Sequence, residues 1–202
     1  MNYFNYETAA KRYAADRPYF HPLVISKIKN YLKISDKLGF ALDVGCGTGQ
    51  SSVALLEIAH SVVGSDLSSA MLSETSKHPN IEYIECPAEN IKLSDAKTDL
   101  ITAGMAFHWF DRDRFLSEAK RILRPDAWLV VYNNAIYGET KESSEFRKWF
   151  EHTYLKRNPS PPRNNQPFTD DQALENGFRF IGKENYTNEV SFSCAEISAY
   201  LM

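Results

Sequence analysis

The chain has 202 residues, a formal net charge of −3, and 43% apolar, 24% charged and 13% aromatic residues. That length and balance suit one folded domain with its own core and exclude a disordered tail, while the lack of a basic excess makes nucleic acid an unexpected partner. Three scattered cysteines (Cys46, Cys86, Cys194) give neither a disulfide framework nor a zinc spacing, and no apolar run or leader-like N-terminus points to a membrane or to export, so no metal site and a cytoplasmic location are expected.

The elements divide a single domain into three stretches. Residues 1–37 read as a helical N-terminal cover, Thr8 to Asp16 and a second piece from Pro22, broken at Arg17-Pro18 because proline disfavours helix in the residue before it. Residues 38–133 alternate short apolar strands with helices. The strands are expected at 40–44, 61–65, 81–86, 99–103 and 128–132, and the helices at 51–59, from Ser68 to about Lys77, and at 112–123. Such alternation predicts an α/β fold with a Rossmann-like, doubly wound, mainly parallel sheet. Residues 134–202 read as a substrate-side insertion, with a helix at 143–155, a surface loop at 158–167, a short helix at 170–176 closed by Gly177, a sixth strand at 178–186 and a last helix from Cys194.

The first strand ends in Leu42-Asp43-Val44-Gly45-Cys46-Gly47-Thr48-Gly49, a glycine-rich turn that admits close approach of a ligand to the backbone. The spacing is G-x-G-x-G rather than the G-x-G-x-x-G of dinucleotide sites, and Asp43 precedes it. A carboxylate there would repel a pyrophosphate but favour the ammonium and sulfonium of S-adenosylmethionine, so a nicotinamide dehydrogenase is a weak reading. Asp66 closes the second strand in Val62-Val63-Gly64-Ser65-Asp66. There it can accept both ribose hydroxyls of an adenosine cofactor, or cap the following helix.

Taken with Cys86-Pro87-Ala88-Glu89, the run DLITAGMAFHWFD and the helix end RILRPD, these motifs resemble the type-11 class I S-adenosylmethionine-dependent methyltransferases. The nearer resemblance is to small-molecule enzymes of the trans-aconitate methyltransferase-like branch. It spans roughly Tyr13 to Asn133 and implies a seven-stranded sheet with an antiparallel last strand. No segment after Tyr186 can supply that strand, so it is expected to be missing and the chain to be a shortened relative. The resemblance places Asp43, Gly45, Cys46, Gly47 and Gly49 around the methionine end and ribose, Asp66 on the ribose hydroxyls, Leu67 on the adenine, Ala88 and Glu89 along the adenine edge, and Ala103 beside the methionine portion. Pro87 stands where many relatives carry aspartate, and Pro125-Asp126-Ala127 replaces their usual P-G-G.

On the acceptor side the same resemblance directs His108 and Trp109 into the pocket. His108 is the candidate catalytic residue, as a general base or as an orienting group. Arg17 suits the donor's or a substrate's carboxylate, and Tyr13 and Tyr19 belong to the segment that folds over the donor in relatives. The expected activity is methyl transfer to a small-molecule acceptor, O-methylation of a carboxylate or hydroxyl, by a monomer or weak homodimer. The alternatives are a protein methyltransferase and a non-catalytic sensor of S-adenosylmethionine or S-adenosylhomocysteine.

Overall fold

Leu38–Val44 (β1) alternates its side chains between two buried faces, Ala41 toward one and Leu42 and Val44 toward the other, and so requires cover on both. The computed structural model describes residues 7–136, 138–141, 143–159 and 161–201, with the side chains of residues 9, 12, 13 and 16 excepted. Around β1 lie Ala59–Asp66 (β2), Ile81–Glu85 (β3), Thr98–Gly104 (β4) and Leu123–Tyr132 (β5), in the order β3-β2-β1-β4-β5, every pair parallel. The order reverses between β1 and β4, and the carboxyl ends of that pair form the crevice where open α/β sheets bind ligands.

Two apolar layers sandwich the sheet. On one face Leu42, Val44, Val63 and Ile101 meet Phe115, Leu116, Ala119 and Ile122 of Arg112–Ile122 (α5). The labels α1 to α4 denote Glu7–Asp16, His21–Tyr31, Gln50–Leu55 and Ser69–Leu72. On the other face Ala41, Val62 and Leu100 meet Val24, Ile25 and Ile28 of α2 and Ala54 and Leu55 of α3. The remaining helices are α6 (Ser144–Trp149), continued by a π-helical turn at Phe150–Tyr154 into α7 (Leu155–Arg157), then α8 (Asp170–Glu175) and α9 (Cys194–Leu201).

The doubly wound parallel sheet expected from the alternation is present, with differences that have local causes. Helix α3 stops at Leu55, because the carbonyl of Ile58 accepts the Leu38 N–H at 2.8 Å and the chain is already joining the sheet. Helix α4 is a single turn. Ser73 and Thr75 turn their hydroxyls back onto the carbonyls of Ala70 and Leu72, and Pro79 opposes helix in the residue before it. Strand β5 begins at Leu123, directly from α5, and Asp126 takes the left-handed conformation (φ 60°) in place of a glycine.

The expected sixth strand at 178–186 is not formed. That segment is tied by side chains instead of a backbone ladder: Glu184 pairs with Lys27 of α2 at 2.5 Å, and the Tyr186 hydroxyl donates to the carbonyl of Asn133, just after β5, at 3.0 Å. Phe180 and Ile181 stay largely exposed, so the apolar residues that suggested a strand do not bury a common face. Strand β5 is thus the edge of a five-stranded sheet among the described residues, bordered by an open cleft of about 2900 Å³. No helix among them is long and apolar enough to cross a membrane.

Candidate functional site

The turn from β1 to α3 is built on three left-handed glycines, Gly45 (φ 70°), Gly47 (φ 55°) and Gly49 (φ 81°). At Gly45 a Cβ would collide with that of Ala106, whereas at Gly47 it would meet nothing within 4 Å. The first glycine therefore permits close packing on the segment after β4, and the second faces an opening.

Asp43 lies beneath this loop, only 1% exposed. Its carboxylate accepts hydroxyls from Ser51 (2.5 Å), Ser52 (2.7 Å) and Thr102 (3.0 Å), which ties α3 and β4 to β1. Burial raises its pKa against the lowering effect of those three bonds. The structure thus places Asp43 as an anchor under the cradle, not as a group facing the opening. Cys46 is likewise buried, and desolvation, followed by Asp43 and Asp66, pushes its thiol upward.

Asp66 bridges two loops. One oxygen accepts the Gly47 N–H and the other the Ser68 N–H, both at 2.8 Å. A carboxylate has about four lone-pair sites, so acceptor capacity remains. Burial moves its pKa upward. Leu67 follows it at 59% exposure, an apolar surface next to the carboxylate that suits an aromatic base. Ala88 is buried, and Glu89 accepts the Asp111 N–H at 2.8 Å, joining the β3–β4 connection to the start of α5. Ala103 is fully buried within β4 and reaches the site only through its backbone. The Thr48 hydroxyl is buried without a partner in the same loop.

On the other side of the crevice, Gly104 and Met105 lead into a 3₁₀ turn, Phe107–Trp109. Met105 holds a left-handed conformation (φ 60°) and donates its N–H to the Tyr132 carbonyl at 2.9 Å, which docks the turn on the end of β5. The rings of His108 and Trp109 lie 4.9 Å apart. Burial, then Arg163 and Arg112, push the His108 pKa down to about 4. Such a shift works against proton acceptance near neutrality.

The N-terminal cover contributes less directly. Tyr19 is half-exposed and lines a small pocket of about 130 Å³ with Thr48, Gly49 and Gln50. Arg17 engages the ring and hydroxyl of Tyr200 in α9. The side chain of Tyr13 lies outside the described residues.

Sequence reading missed a buried pair at the crevice. His21 opens α2 and is 7% exposed, with its Nδ1 3.0 Å from the Tyr132 hydroxyl. The Tyr132 ring covers Gly104, where any Cβ would strike it. Burial lowers the His21 pKa to about 4. Between the ordinary histidine value of 6.5 and about 4, the unfolded chain binds a proton that the folded chain refuses, so stability falls as pH drops through this window, by roughly 3 kcal/mol over the whole of it. The raised carboxyls of Asp43 and Asp66 act in the opposite sense. Melting wild type and His21→Asn from pH 7 to 4 isolates the histidine, since the carboxyls are common to both, and the variant is expected to lose less stability on acidification.

A left-handed glycine loop at the strand-order reversal, followed by an acid at the end of the next strand, defines an adenosine-cofactor-binding α/β domain. Residues 42–131 match the family described as "Methyltransferase domain". The chain is 33% identical over 124 residues to a proposed methyltransferase of Dictyostelium discoideum, covering 61% of this chain and 46% of that protein. It is 33% identical over 106 residues to the malonyl-[acyl-carrier protein] O-methyltransferase of Pectobacterium atrosepticum, covering 52% and 42%. A solved structure of a proposed type II methyltransferase from Anaeromyxobacter dehalogenans superposes with a TM-score of 0.59 at 27% identity, covering 83% of this chain and 68% of that one. Residues 42–131 thus carry a methyltransferase domain similar to those of the class I S-adenosylmethionine-dependent methyltransferases, a family whose cofactor is S-adenosylmethionine. The chain spans about half the length of the curated relatives it matches.

Proposed function

We propose that the chain transfers a methyl group from S-adenosylmethionine to an oxygen of a small-molecule acceptor. The observation that carries this reading is the Asp66 carboxylate holding the Gly47 N–H beside an open left-handed glycine and an exposed Leu67. Gly45, Gly47 and Gly49 would cradle the methionine end of the donor, Asp66 its ribose and Leu67 its adenine, with Ala88 and Glu89 at the rim and Asp43 and Cys46 supporting the loop from below. The donor supplies an activated methyl on a cationic sulfur. The protein's own task is to align the acceptor with that bond and to exclude water. His108 and Trp109, in the turn that directly follows Ala106 where it packs on Gly45, would line the acceptor side, with Tyr19 over the start of α3. The relative named for O-methylation of a malonyl group on acyl-carrier protein supports transfer to oxygen.

Calorimetric titration with S-adenosylhomocysteine, with NADH as control, tests the donor site. Saturable binding of the first and none of the second is expected. Binding of NADH in its place, or of neither, overturns the reading.

A further inference from the structure

Residues 158–167 read in sequence as a surface excursion, yet the fold clamps residues 163–166 onto the acceptor side. The Asn164 N–H donates to the His108 carbonyl at 2.9 Å, and Arg112 Nη2 donates to the carbonyls of Asn164 (3.3 Å) and Gln166 (2.8 Å) from its place over the Phe107 ring. This delivers the Arg163 guanidinium to 3.5 Å from His108 Nε2, with its Nε on Asn165 Oδ1 at 3.2 Å. Among the described residues neither Arg112 nor Arg163 has a carboxylate within ion-pair distance, although the other close ion pairs of the chain are made readily. The Nε and Nη1 of Arg112 are buried without hydrogen-bond partners. Arg163 therefore meets the His108 imidazole, with Arg112 holding the loop behind it, in the lining of the cleft beside β5, and no carboxylate pairs with either arginine among the described residues. Both lower the His108 pKa, which marks a locally positive field.

Resting on the methyl-transfer reading, we propose that the acceptor is a small carboxylic acid whose carboxylate is held by Arg163 beside His108, with Arg112 as the residue that positions the loop. An arginine fork matches a carboxylate in two parallel hydrogen bonds, and it would complete the charge that the fold leaves open. The chemistry agrees. A carboxylate is already deprotonated at neutral pH, so a carboxylate oxygen forms the bond to the methyl carbon, the electron pair of the breaking S–C bond stays on sulfur, and no proton has to be removed. A site whose histidine is a weak base needs such an acceptor more than it needs a neutral alcohol.

The test uses the protein saturated with S-adenosylhomocysteine, titrated with malonate, succinate and glutarate, with their diamides, and with inorganic phosphate. Binding is read by calorimetry. At least one diacid is expected to bind saturably and its diamide not. Arg163→Ala should weaken the diacid by about 10- to 100-fold, the worth of one or two charged hydrogen bonds, and Arg163→Lys should recover part of that loss. S-adenosylhomocysteine affinity should be the same in all three proteins. Failure of every diacid to bind, equal binding of the diamides or of phosphate, or an Arg163→Ala protein that binds diacid as wild type does, each overturns the proposal. If S-adenosylhomocysteine itself does not bind, the methyl-transfer reading fails separately, and the same titrations on the donor-free protein still decide the role of Arg163.

Discussion

Asp66→Ala is expected to weaken S-adenosylhomocysteine binding by roughly 100- to 1,000-fold, the value of two hydroxyl hydrogen bonds to a charged acceptor. The substitution also releases the Gly47 and Ser68 N–H groups, so part of any loss could come from loosened loops. Ser68→Ala separates the two effects. The Ser68 hydroxyl caps α4 by accepting the Met71 N–H at 3.2 Å, and its removal costs about 1 kcal/mol of stability without touching the Asp66 carboxylate. The expected pattern is a small drop in melting temperature for both variants, with affinity lost in Asp66→Ala and kept within a few-fold in Ser68→Ala. A folded Asp66→Ala protein that binds as tightly as Ser68→Ala would remove the ribose role and leave Asp66 as a loop tie.

The proposed donor half of the site is local in sequence, so its residues can be named there. Gly45, Gly47 and Gly49 form one turn, and Asp66 ends the strand paired beside it, Asp43 opposite Gly64 and Val44 opposite Ser65. Strand alternation likewise places Asp43 on the Ala41 face, under α3, where the serines that hold it begin the helix. The proposed acceptor half depends on pairs that only folding brings together. Arg163 meets His108 across 55 residues and His21 meets Tyr132 across 111, and no spacing rule connects them. The error at 178–186 has another origin: an apolar composition signals a strand only if a neighbour accepts its ladder, and this segment is tied by side chains instead, Glu184 to Lys27 of α2 and Tyr186 to Asn133 just after β5. The shortened α3 and α4 show the same limit on a smaller scale, since the groups that stop them are a carbonyl claimed by the sheet and hydroxyls that compete for the helix's own bonds.

Gly45→Ala and Gly47→Ala are expected to fail in different ways, although the residues are two apart in one loop. At Gly45 the added methyl must adopt φ 70° and also strike Ala106, with Phe110 Cζ 3.3 Å away. Left-handed strain of about 1–2 kcal/mol and overpacking of about 1–3 kcal/mol then act together, enough to lower the melting temperature by roughly 5–15 °C in a domain of this size. Because Ala106 leads directly into the 107–109 turn, the push also moves His108 and Trp109. At Gly47 the strain is similar (φ 55°), but the methyl meets no protein atom within 4 Å, so only about 1–2 kcal/mol of stability is lost. Its larger effect is on the ligand, since the methyl projects into the opening where the donor's backbone contact is proposed. Thermal melts and S-adenosylhomocysteine titrations of the two variants should therefore diverge, with Gly45→Ala the less stable and Gly47→Ala losing more affinity than its stability loss explains. A Gly47→Ala protein that binds S-adenosylhomocysteine as wild type does would show that the open side of this loop is not where the cofactor lies.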